Sequence, residues 1–167
     1  MNISEFVNGY KLARDKTKYV MSRITTKYLP YEMKQTQAKL ITDYSMYKTV
    51  NDKNIFWMNT PLQYQLFTQT VVKMYTDIDL TDGADDNGAI LRGFNMLEES
   101  GAMSDIIQTI GSDFNVFQTV LKMNVDDAIA NNSLMNWMDT KAEAFTMVLG
   151  TLQDAITELQ NKVGTET

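Results

Sequence analysis

Apolar residues recur along this chain at steps of three and four, the period of an α-helical face. Phe6, Tyr10, Ala13, Val20, Ile24 and Tyr28 keep to those steps or their sums. With a capping-box arrangement at Asn2 and Glu5, they predict one amphipathic helix running to about Leu29. Pro30 ends it, because the residue before proline avoids the helical region, and opens a second helix to about Tyr44 with Ala38, Ile41 and Tyr44 on one face. At 46–58 the character changes: two short β-branched and aromatic runs flank the polar tetrapeptide NDKN, a hairpin signal. Thr60 as N-cap, Pro61 at the first helical position and Gln63 closing a capping box restart a helix that carries Leu62, Leu66, Val71, Met74 and Ile78. Ile90, Phe94 and Leu97 mark a helix stopped by Gly101, and Met103, Ile106, Ile107 and Ile110 one stopped by Gly111. Ser112 then caps a helix bearing Phe114, Phe117, Leu121, Val125 and Ala128, and Ser133 caps a long last one.

That last helix holds the most regular pattern in the chain. Met135, Met138, Ala142, Phe145, Leu149, Leu152, Ile156, Leu159 and Val163 alternate steps of three and four, about four heptads. Val148 and Ala155 replace the charges that flank a coiled-coil stripe, and Gly150 weakens a free-standing coil. The wide apolar face predicts packing inside the chain's own bundle, with a subunit interface through Phe145, Leu149 and Leu152 as the alternative. The expected fold is mainly α: one helical domain over 1–167, a bundle of about six helices with one short β-hairpin at 46–58.

Composition narrows the chemistry. Among 167 residues there is no cysteine and no histidine, which removes disulfides, thiolate nucleophiles and the commonest metal ligand and neutral-pH base. No apolar run approaches the ~20 residues of a membrane span, and residues 1–30 lack a signal-peptide core, so no membrane association is expected and the host-cell cytoplasm is the expected location. The net charge of −6 divides unevenly: residues 1–60 sum to +5 and residues 61–167 to −11. The basic part centres on the first helix, where Lys11, Arg14 and Lys18 share a stripe beside Lys16, Arg23 and Lys27. Such a face is most simply a solvated one, with docking on an acidic protein surface or phosphates as the functional alternative, and the strongly negative remainder argues against general nucleic-acid binding.

One stretch resembles chemistry. MYTDIDLTDGADD places five aspartates in ten residues. An EF-hand loop started at Asp77 would put Asp82 where the turn glycine belongs and Gly88 where the bidentate glutamate belongs, so that reading fails. DIDLT also fits the D-x-D-x-T motif of haloacid-dehalogenase-like phosphatases, with Asp77 as nucleophile, Asp79 as acid/base and magnesium between them. That chemistry requires a buried parallel strand ahead of the motif. LQYQLFTQTVVKMY is instead helical in spacing, and the expected role is an acidic loop between helices. No catalytic residue, cofactor or metal site is expected. Three segments, ITTKYLPYEMK, NTPLQYQLFTQTVVKMYTDIDL and FQTVLKMNVDDAIANNSLMNWMDTKAEA, together resemble small uncharacterised proteins of phages and prophages of low-GC Gram-positive bacteria. The resemblance implies a phage protein encoded among virion or assembly genes. With the uneven charge and the apolar seam, the expected role is protein–protein association with phage or host proteins, as a virion or assembly component and in homo-oligomeric form. The alternative is a host-directed inhibitor, an acidic binder that occludes an enzyme or mimics nucleic acid. The magnesium-dependent phosphatase stands as a remote third.

Overall fold

A computed structural model describes residues 1–83 and 88–163, with side chains described as far as Val148 apart from Lys53 and Ala144. It is mainly helical: seven helices and one antiparallel hairpin among the described residues. The chain divides into two compact units, 1–126 and 127–167, where one domain over 1–167 is predicted.

The first unit opens with α1 (Ile3–Leu12), capped by the Asn2 side chain accepting from the Glu5 amide at 2.8 Å. The predicted continuous helix to Leu29 is corrected here. Ala13 turns extended, and Asp15 caps a separate short α2 (Lys16–Met21) by accepting from the Lys18 amide. The break lets α2 lie against α1. Tyr19 stacks on Phe6, and its hydroxyl occupies the space where a side chain at residue 9 would stand, so a larger residue than Gly9 would displace the Tyr19 ring. Residues beyond Met21 leave the helix, with Ile24 bridging Thr76.

α3 (Tyr31–Met46) follows Pro30 and runs into the hairpin of β1 (Tyr47–Val50) and β2 (Lys53–Phe56), with Val50 paired to Lys53 and Tyr47 to Phe56. The two-residue turn has positive φ at both Asn51 and Asp52, the mirror-image turn that matches strand twist and suits these two residue types. α4 (Thr60–Tyr75) is capped one residue earlier than predicted: the Asn59 side chain accepts from the Leu62 amide, which leaves Thr60 and Pro61 inside the first turn. α5 (Ala89–Ser100) and α6 (Ala102–Ile110) end where expected, at Gly101 and Gly111, both with positive φ.

α7 (Ser112–Val163) is one helix of 52 residues. Ser133 starts no new element. The 3–4 spacing passes through it without a change of phase, and neither proline nor glycine interrupts residues 112–149. The core of the first unit gathers Phe6, Val71, Tyr75, Leu97, Ile106 and Phe117 around the pairs α1–α5, α2–α6 and α3–α4. Phe67 packs edge-on to Phe117 at 5.0 Å.

Candidate interaction surface

The acidic loop is a fastening. The Ile3 amide donates to the Asp79 carbonyl at 3.0 Å, and the Asp79 amide to the Met1 carbonyl at 2.8 Å. Ser4 donates its hydroxyl to Asp82 at 2.6 Å. The Asp79 carboxylate accepts from the hydroxyl and amide of Thr81, and these bonds hold its pKa below the usual carboxylate range. Asp77 faces Arg23 at 3.3 Å. Asp77 and Asp79 thus stand in a turn after α4, not at the end of a parallel strand, and the sole sheet among the described residues is the hairpin. Asp85 and Asp86 of the same run lie outside the described residues. No group of three acidic side chains among the described residues converges as a metal site.

The basic residues do not form one stripe. The break at Ala13 separates Lys11 on α1 from Lys18 on α2, and Arg14 sits in the break itself. Lys11, Arg14, Lys18 and Lys27 are exposed, while Arg23 is half-buried against Asp77 and the Tyr19 ring. Lys16 lies 4.7 Å over the Tyr10 ring. Tyr10 donates to Asp105 at 2.8 Å, and burial followed by this bond pushes the phenol up to about 12.

A buried ionic cluster escaped the sequence reading. Lys34, 1% exposed, meets Asp113 at 2.5 Å and donates to the Leu29 carbonyl at 2.7 Å. The second Asp113 oxygen accepts from the Tyr75 hydroxyl at 2.7 Å and the Leu29 amide at 3.0 Å. Burial works against the Asp113 anion, but Lys34, Leu29 and Tyr75 together outweigh it and hold the pKa below the ordinary value. The Tyr75 phenol is pushed well above its ordinary range, by burial first and Asp113 second. The signal was present: Lys34 falls four residues before Ala38 and seven before Ile41, on the apolar stripe of α3. Each partner saturates the other, so the cluster ties α3, α4, α7 and the Leu29 segment together and offers no free group for catalysis. A cleft of about 460 Å³ between α4 and the start of α7 has an apolar floor of Phe67, Leu121 and Val125.

The remaining feature is the later part of α7. Phe114, Phe117 and Leu121 lie on the heptad stripe within the first unit and are buried. In the second unit Met135 (59% exposed), Met138 and Phe145 (65%) continue that stripe in phase and face solvent. Leu149 and Leu152 lie outside the residues whose side chains are described. Leu134, Trp137 (59%) and Val148 add a neighbouring stripe, also exposed. Trp137 and Leu134 were missed as surface residues, although each precedes a residue of the first stripe by one position. Polar side chains at Asn136, Asp139, Thr140, Glu143 and Thr146 occupy the opposite side. No helix among the described residues is long and apolar enough to cross a membrane. Comparison with protein-family models, curated proteins and solved structures finds no match.

Proposed function

We propose that this chain is a non-enzymatic phage protein that works by protein–protein association, as a virion or assembly component, with the apolar face of α7 as its docking surface. The observation that carries the reading is the exposure of Leu134, Met135, Trp137, Met138, Phe145 and Val148 on one side of one helix. Monomeric proteins rarely leave contiguous apolar patches larger than a few hundred Å² in water, and larger ones mark interaction sites. The phage setting rests on the resemblance of the three sequence segments, and it places the protein in the host-cell cytoplasm and then in the particle. The paired or saturated state of Asp77, Asp79, Lys34 and Asp113 supports a binding role over a catalytic one.

Particles and assembly intermediates from cells infected with a phage that encodes the chain should contain it, and a Trp137→Glu variant should be lost from them. If the protein is missing from every intermediate and particle yield is unchanged without it, the assembly reading falls. The host-directed inhibitor then becomes the better account.

A further inference from the structure

A recess in the first unit lies between the latter part of α4, the turn that follows it and the start of α5. Leu66, Gln69, Thr70 and Lys73 line it from α4, at the i, i+3, i+4 and i+7 positions that share one side of a helix. Ile78, Leu80 and Ile90 complete its apolar lining. Its volume of about 360 Å³ falls within the roughly 300–1,000 Å³ of small-molecule sites.

The polar groups of the recess are not balanced. The Thr70 hydroxyl donates to the Leu66 carbonyl at 2.8 Å. The Asp79 carboxylate, which also lines the recess, accepts from the Thr81 amide and hydroxyl at 2.9 and 2.7 Å. Two donors are left over. Gln69 Nε2 is buried without a hydrogen-bond partner, and no ion pair or hydrogen bond among the described residues engages Lys73. A buried donor with no acceptor destabilises the fold until something supplies one. Beside an ammonium and above an apolar floor, the acceptor that fits is a carboxylate on an apolar body. A phosphate monoester would bring nearly two charges to one cation and one neutral amide. We propose that this recess binds a small aliphatic carboxylate, its tail on Leu66, Ile78, Leu80 and Ile90 and its head between Lys73 and Gln69. The Gln69 amide meets the head by a half-turn of its last torsion, which is soft and roughly two-fold. Asp79 keeps its charge and so directs the head to the α4 side.

Octanoate is the probe, titrated into the full-length chain with labelled Ile, Leu and Val methyl groups. The resonances of Leu66, Ile78, Leu80 and Ile90 should shift along a saturable curve. Octanol has the same tail without the charge and should bind about tenfold more weakly, the contribution of one charge-assisted hydrogen bond. Octylamine should not bind. Lys73→Gln, at an exposed position, should bring octanoate down to the level of octanol and leave octanol unchanged. Gln69→Leu should weaken octanoate while the urea midpoint stays at or above the wild-type value, because the orphaned donor is gone. Shifts confined to Leu134 would put octanoate on the exposed face of α7 and overturn the site. Octylamine binding as tightly as octanoate, or an octanoate affinity unmoved by either substitution, would overturn it too. A peptide ending in leucine that saturates the recess where octanoate does not would assign it to a partner's chain end instead. The association reading is tested separately, since none of these residues belongs to α7.

Discussion

Lys34 and Asp113 are two charges taken out of water, and their value lies in being taken out together. Removing one partner of a buried pair strands the other, at a cost of roughly 3–5 kcal/mol. Lys34→Ala should therefore lower stability by about that much, read from urea denaturation at pH 7. The pH dependence has a definite sign. Asp113 binds protons more weakly folded than unfolded, so its contribution is complete above the ordinary carboxylate value of ~3.9 and is lost as pH falls through the folded value. The denaturation midpoint should fall on acidification below about pH 4, and Asp113→Asn should flatten that slope. A slope unchanged in Asp113→Asn would show that other carboxylates set the acid limit. The stripe position of Lys34 was legible beforehand, but its partner was not. A lysine at one position of an apolar stripe reads like any surface charge until its acidic partner, 79 residues on, is known to face it.

Elements were legible where the signal is local. Gly101 and Gly111 end α5 and α6 because each closes its helix with a positive φ, Gly101 in the left-handed region, and glycine takes that conformation without strain. The turn Asn51–Asp52 was equally readable from its residue types. The splitting of the first helix was not. Apolar steps continue through the break, while Ala13 is extended, Asp15 caps α2 and Tyr19 stacks back on Phe6. Ser133 fails from the opposite direction: a good capping residue is overridden when the helix on both sides keeps one phase. The distinction can be measured. Asn59→Ala should cost about 1 kcal/mol, because Asn59 satisfies the Leu62 amide. Ser133→Ala should be neutral or slightly favourable, because mid-helix alanine is the better former. Urea midpoints of the two variants against the wild type check the pair. A loss at Ser133 comparable to that at Asn59 would restore a helix boundary there.

At the scale of the whole molecule, the seam itself was readable and what covers it was not. A heptad stripe looks the same in sequence whether its own chain or another copy covers it, since periodicity reports a face and not its neighbour. Charge offers a rival route to association, because residues 1–60 carry +5 and the remainder −11. The two routes respond differently to salt. The screening length falls from about 10 Å at 0.1 M to about 3 Å at 1 M, which weakens contacts between exposed charges and leaves apolar ones intact. Light scattering should therefore return the same mass at both ionic strengths. Dissociation at 1 M would assign the contact to the basic surface of Lys11, Arg14, Lys18 and Lys27.

The backbone ties between Asn2 and Asp79 and between Ile24 and Thr76 also impose an order in time. Segments so distant in sequence meet only after the intervening chain has been drawn in, and that closure cost must be met before the contacts reward it. α3, the hairpin and α4 can each form from near neighbours. α1 and α2 are also capped by near neighbours, but their ties to the turn after α4 span more than 50 residues of chain. The run of aspartates that resembled an active site thus acts as a latch, fastening the opening residues to the turn after α4 across 78 residues of sequence.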